Sequence, residues 1–482
     1  MTSPGSGSGA PGSREKTTAK AILISIVAAV GGFLFGFDSS VINGAVEAIN
    51  AQFGLENSPF LSGFAVAVAL LGSAVGAWFA GPTADRYGRV RVMLIAAAAF
   101  AISSVLSGLA FAVWDLILWR FIAGIGIGIA SVIAPAYIAE IAPAHIRGRL
   151  ASLQQMAIVL GIFVALLSDA LLAYGAGSAA NVLFLGAEAW RWMFIVGVIP
   201  AIIYAVLALR IPESPRYLVA KQRNEEAARV LASVNGTSVD AVQPKIAEIA
   251  ETLRREDKPS LRDLTAPGTG LRPIVWVGIL LSVFQQFVGI NVIFYYSTTL
   301  WQAVGFSEQD SFTASVINAL INVVSTIVAI LIVDKVGRKP MLLGGSAGMV
   351  VTLTIMAVAF SQAVETVGAD GELSPSLPGV WGPVALVAAN LYVVSFAVTW
   401  GPVVWVLLGE IFPNWLRAAA LAVAAAAQWL ANFVVTVTFQ ALADLSLAFA
   451  YGIYAAMALI SFFFVSRYVQ ETKGKELEEM VG

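Results

Sequence analysis

Asp85-Arg86-Tyr87-Gly88-Arg89 returns about half a chain later as Asp334-Lys335-Val336-Gly337-Arg338, and each copy sits between two long apolar runs. A second charged pattern repeats in the same order. Glu140 is followed seven residues later by Arg147 with Pro143 between them, and Glu410 is followed seven later by Arg417 with Pro413 between. Matching charged loops in the two halves of an apolar chain imply two matching halves that move against each other. This is the pattern of a carrier and not of an enzyme.

Composition sets the solvent. The 482-residue chain is 59% hydrophobic and only 12% charged, about half the charged fraction of soluble domains, with a mean hydropathy of +0.83. A water-soluble domain could not hide that much apolar surface, so a bilayer must cover it. The chain has no cysteine, which excludes disulfides and thiolate metal sites. A single histidine, His145, cannot build a histidine metal cluster, so no metal is expected. The net charge of −2 gives no pull toward nucleic acid.

The first thirteen residues are rich in Gly, Ser and Pro and predict a disordered tail, extended here to residue 20. Twelve apolar segments follow that are long enough to span as helices, near 21–43, 60–82, 92–112, 116–138, 150–173, 190–209, 273–300, 312–333, 341–361, 383–408, 418–442 and 447–467. The long polar stretch 211–272 carries helical patterns such as Glu225 to Leu231 and Ile246 to Arg255. The expected organisation is therefore a tail 1–20, a six-helix bundle 21–210, a helical linker 211–272, a second bundle 273–467 and a tail 468–482. Nearly all Lys and Arg fall at the termini or in loops after even-numbered helices, the exceptions being Arg120 and Arg191; loops 174–189 and 362–382 hold none. That bias places both termini and the linker in the cytoplasm of a cell-membrane protein.

Four motifs in order carry a family resemblance: Asp85 to Arg89, Pro212-Glu213-Ser214-Pro215-Arg216, Gln285-Gln286 before Gly289-Ile290-Asn291, and Glu471-Thr472-Lys473-Gly474. Over residues 22 to 479 the chain resembles the sugar porter family of the major facilitator superfamily, closest to bacterial proton-coupled glucose, xylose and galactose carriers and their facilitative relatives. One departure is Gln470, where the family commonly has Pro. The resemblance implies an all-α membrane fold of two pseudo-symmetric six-helix bundles. It also implies a central site that alternates between the two sides, a monosaccharide substrate and no organic cofactor.

Asp38 in the first segment and Arg120 in the fourth are charges in hydrocarbon, so each needs a partner or a water-filled cavity. Opposite signs in the same bundle make them each other's partners. Separating the pair would let Asp38 take up a proton, a plausible coupling switch. The resemblance adds that proton-coupled porters carry Asp at this position, where facilitative ones commonly carry Asn.

A sugar needs neutral groups that both donate and accept, plus an aromatic plate. Matched to the family motifs, the implied ligands are Gln155, Gln285, Gln286, Asn291, Asn322, Trp405, Gln428 and Asn432. Tyr295 and Tyr296 match gating aromatics, and Phe35 and Trp429 are further candidates for the lining. Gln285, Gln286 and Asn291 do not share one face of a regular helix, so local unwinding at Gly289 is expected.

Asp85, Arg86, Arg89, Glu140 and Arg147 in the first half are mirrored by Asp334, Arg338, Glu410 and Arg417 in the second, with Glu213 and Glu471 beside them. These are read as a cytoplasmic latch that holds the inner side closed in the outward-open state. The expected function is a proton-driven monosaccharide symporter, most simply for glucose, acting as a monomer in a lipid bilayer. The competing readings are a facilitative uniporter and a non-transporting sugar sensor. A membrane enzyme lacks a nucleophile–base set, and ATP-driven transport lacks a phosphate loop.

Overall fold

The computed structural model describes residues 11–141, 147–255, 264–266, 270–367 and 373–473. Twelve helices are long and apolar enough to cross a bilayer. Spans 1 to 6 are Lys20–Phe53, Pro59–Tyr87, Arg89–Gly108, Val113–Ile141, Leu153–Ala176 and Ala189–Ala208. Spans 7 to 12 are Pro273–Tyr295, Glu308–Val333, Arg338–Phe360, Trp381–Ile411, Ala419–Leu445 and Leu447–Tyr468. A helix satisfies its interior backbone polar groups within itself, which is why apolar runs of this length fold this way in lipid.

Within the first half, spans 2 and 4 pack through glycine. An added Cβ at Gly72, Gly76, Gly124 or Gly128 would run into the facing backbone, so these residues let the two helices approach as closely as lipid-buried helices can. The halves meet along three seams: span 1 with span 7, span 2 with span 11, and span 5 with span 8.

Two details differ from the sequence expectation. The first helix begins at Pro11, so residues 11–20 of the expected tail are helical. Proline has no N–H to lose in a first turn, and the Glu, Lys and Ala that follow are good helix formers. The all-α description also gains three short antiparallel strand pairs, all outside the spans: Val182–Phe184 with Ala187–Glu188, Thr265–Ala266 with Gly270–Leu271, and Val364–Val367 with Leu373–Ser376.

Between spans 6 and 7 lie three helices, Pro215–Ala220, Asn224–Asn235 and Gln243–Arg255. Leu218, Ala228, Leu231, Val242 and Ile246 give them a small core of their own. The Lys20 ammonium contacts the Ser233 hydroxyl, which ties the start of span 1 to this layer.

The two ends of the molecule are held differently. Away from the termini, hydrogen bonds bridge the halves: Asn43 with Thr298 and Phe294, the Tyr174 hydroxyl with Thr313 at 2.6 Å and with the Gln309 carbonyl at 2.9 Å, Gln309 Nε2 with the Gly177 carbonyl at 2.9 Å, and the Ala179 amide with Glu308 at 2.8 Å. At the end that bears the termini, no hydrogen bond joins the halves among the described residues. Among the described residues, the hydrogen-bonded end is the one away from the termini.

Candidate functional site

Span 7 is where the sequence expected irregularity. The helix Pro273–Phe287 stops, Gly289 takes a left-handed φ of 84°, and a short helix Ile290–Tyr295 follows. The carbonyl of Val288, left without its helical partner, accepts the Tyr392 hydroxyl at 2.7 Å. Gly289 also abuts the Tyr454 ring, which an added Cβ would meet at 2.6 Å. Left-handed backbone and the lack of room both require glycine here.

The break turns Gln285, Gln286 and Asn291 toward one another. Asn291 Nδ2 donates to Gln286 Oε1 at 2.6 Å, and Gln286 Nε2 lies 3.5 Å from Gln285 Oε1. From span 11, Gln428 Nε2 donates to the same Gln285 oxygen at 2.7 Å, while Gln285 Nε2 donates to the Trp400 carbonyl at 2.9 Å. Four of the eight expected ligands thus form one continuous amide chain.

The other four stand around it. Asn432, one helical turn from Gln428, accepts from Thr436 at 3.2 Å. Asn322 is buried on span 8 and Gln155 half-buried on span 5, and neither belongs to the amide chain. Trp405 is 43% exposed; of the span 10 tryptophans, Trp400 reaches the amides, through its backbone. Phe35 meets Trp429 edge to face at 5.2 Å across the seam between the halves.

The two tyrosines part company. Tyr295 faces Ser39 and Asn432 and lies within electrostatic reach of Asp38 and Arg120. Tyr296 is buried in the second half, its hydroxyl on the Thr436 carbonyl at 3.1 Å and its ring on Phe439. A gate between the halves therefore has Tyr295 as its candidate, with Tyr296 as packing.

Asp38 and Arg120 do pair. Arg120 NH1 donates to Asp38 Oδ1 at 2.7 Å, the guanidinium lies 5.6 Å from the Phe194 ring centroid, and both side chains are nearly inaccessible. The pair is incompletely satisfied: Asp38 Oδ2 and Arg120 Nε have no hydrogen-bond partner. Removing one member of a buried pair costs about 3–5 kcal/mol, because the other charge is left bare.

The charged loops pair within each half. In the first half Arg89 binds Glu140 through NH2 at 2.8 Å and Nε at 3.1 Å, and also reaches Asp85 at 3.1 Å. In the second half Arg338 binds Glu410 through the same two atoms at the same distances. Glu213 accepts the Arg89 and Val90 amides at the start of span 3, and Glu471 accepts the Arg338 and Lys339 amides at the start of span 9. A carboxylate on the first N–H groups of a helix meets the positive end of its dipole.

Arg86 stacks on Tyr87. The side chains of Arg147, Asp334 and Arg417 lie outside the described residues, as does His145. Among the described residues each cluster pairs within its own half.

Sequence reasoning missed Asn43, which makes the inter-half contact. Its signal was an amide at the end of the first apolar segment, a little past Asp38. Also missed was a cavity of about 440 Å³ at the closed end, lined by Glu47, Glu56, Glu308, Gln440 and Asp444.

The family described as "Sugar (and other) transporter" matches residues 24–481. The chain belongs to the sugar transporter family. Among curated relatives, the glucose transport protein of Synechocystis is 56% identical, covering 95% of this chain and 96% of the relative. The D-xylose-proton symporter of Escherichia coli K12 is 39% identical, covering 95% and 94%. Among solved structures, the xylose transporter of E. coli in a partially occluded inward-open conformation superposes with a TM-score of 0.79 at 35% identity, covering 95% of this chain and all of that one. The same transporter bound to 6-bromo-6-deoxy-D-glucose gives 0.76. The sugar transporter architecture of twelve spans in two halves is thus common to this chain and those structures, and its closed end is the one away from the termini.

Proposed function

We propose that this chain is a proton-coupled monosaccharide importer, with glucose as its leading substrate. It works by alternating access as a monomer in the cell membrane, with both termini in the cytoplasm. The observation that carries the coupling is the Asp38–Arg120 pair, whose unpartnered Oδ2 offers a seat for one proton. Protonation there cancels the charge that holds Arg120. Tyr295, between Ser39 and Asn432, links that event to the helix carrying Gln428. The amide chain from Asn291 to Gln428 presents donors and acceptors to sugar hydroxyls. The proton gradient supplies the energy: about 2.3 kcal/mol per charge per 100 mV and about 1.4 kcal/mol per pH unit.

The reading is supported by the glucose and pentose–proton carriers among the relatives. The test is labelled glucose uptake into proteoliposomes with and without an imposed gradient, acid outside. Accumulation above the external level that a protonophore abolishes is expected. Equilibration alone would overturn coupling, and xylose or galactose uptake without glucose uptake would reassign the substrate.

A further inference from the structure

Span 5 carries a carboxylic acid that the transport reading does not use. Asp169 is wholly buried, and neither of its carboxyl oxygens has a hydrogen-bond partner. It lies against Gly44, where a Cβ would fall 2.8 Å from its own Cβ and 3.0 Å from Oδ2. Several charged groups sit on the elements packed against span 5. They are Asp38 and Glu47 on span 1, Asp115 and Arg120 on span 4, Arg191 on span 6, Glu188 in the preceding loop, and Glu308 and Asp310 on span 8. Among the described residues none of them forms a hydrogen bond with it, and the Gly44 backbone amide faces it without completing one. An ionised carboxylate with no cation in a dry site is strongly disfavoured, so the stable form in this closed arrangement carries a proton.

The location gives that proton a consequence. Gly44 is the neighbour of Asn43, whose side chain and carbonyl hold Thr298 of the other half. One turn further along, Glu47 and Ala48 line the cavity at the closed end. Opening that end withdraws Thr298, uncovers the Asn43–Ala45 turn and lets water reach Asp169.

We propose that Asp169 is a second proton-binding site, distinct from the Asp38–Arg120 pair, that is loaded when the end away from the termini closes and unloaded to that same side when it reopens. Because the proton leaves by the side from which it came, it is not transported. Its binding makes acid on that side favour closure. The inference rests on the alternating-access reading.

The chain has no native cysteine, so labels on Leu185→Cys and Val380→Cys, both exposed at the closed end, report opening without background. The background is Asp38→Asn, which silences the acid of the central ion pair. There the closed-to-open ratio is expected to rise by up to about tenfold per unit fall in pH. Adding Asp169→Asn, an uncharged mimic of the acid, is expected to abolish that dependence and leave the end closed. Should Asp169→Asn fail to fold, Asp169→Ser is read in the same way.

A pH curve unchanged by the substitution, or flat before it, overturns the proposal. Wild-type sugar accumulation is scored separately. Its failure with an intact pH response sinks the coupling reading alone, and a lost response with intact accumulation sinks this one alone.

Discussion

Asn43 and Thr298 hold the two halves of the molecule together. The Thr298 amide donates to Asn43 Oδ1 at 3.0 Å and its hydroxyl lies 2.7 Å from the same oxygen, while Asn43 Nδ2 donates to the Phe294 carbonyl at 3.0 Å. All of these atoms are buried. Each such bond contributes about 1 kcal/mol net, in the range where a two-state equilibrium is decided.

Asn43→Ala is accordingly expected to raise the population open at that end by about five- to hundredfold. Distance measurements between labels on Leu185→Cys and Val380→Cys read this directly. An unaltered distance distribution would show that the closure is held elsewhere.

Asp38→Asn leaves Arg120 in place and removes the titrating oxygen. The variant is expected to exchange labelled sugar across proteoliposomes in counterflow but to accumulate none under a proton gradient. Retained accumulation would assign the coupling proton to another group.

Gln285 makes more of the amide chain's bonds than any other member, with Trp400, Gln428 and Gln286 as partners. Gln285→Ala is expected to weaken sugar binding by about 1–3 kcal/mol, or about five- to 150-fold in Kd. The measurement is a titration followed by the protein's tryptophan fluorescence. An unchanged Kd would move the site away from span 7.

Gly289→Ala tests the break itself. A side chain at φ 84° costs about 1–2 kcal/mol, and the Tyr454 ring adds a clash. Thermal unfolding in detergent should fall by several degrees, with transport lost at least as steeply. Wild-type Tm and uptake would mean that span 7 can straighten freely.

Burial pushes the Glu471 carboxyl up, but the amides of Lys473, Arg338, Lys339 and Thr472 outweigh it and hold the group below its ordinary value of 4.5. With the folded value below the unfolded one, its stabilising contribution is complete above pH 4.5 and disappears as pH falls through the lower folded value. Glu471→Gln is expected to remove part of the acid limb of the Tm-against-pH curve and to leave its neutral part nearly unchanged. Identical acid limbs would refute the cap.

The repeated Asp-(Arg/Lys)-x-Gly-Arg pattern made the two halves legible, because a charged loop between two apolar runs lies at a membrane face. Gly289 was legible for a different reason: three amides spaced as Gln285, Gln286 and Asn291 are cannot converge on a regular helix. Asn43 was not legible. Its partner Thr298 is far along the chain, and which face of span 1 meets span 7 depends on how two bundles dock, which no local period encodes. The charged clusters were legible as residues but not as pairs, because Arg89 and Glu140 look the same in sequence whether they bridge helices of one bundle or of two.

The amide chain on span 7 has a thermodynamic consequence. Gln285, Gln286, Asn291 and Gln428 fix one another's orientation, yet Gln286, Asn291 and Gln428 each keep a second side-chain N–H outside these bonds, and Gln428 Oε1 has no partner. An arriving hydroxyl therefore meets donors and an acceptor that are already aimed, and little side-chain freedom is lost when it binds. Release on the far side leaves the chain's own amide bonds in place, so the next sugar meets the same pattern.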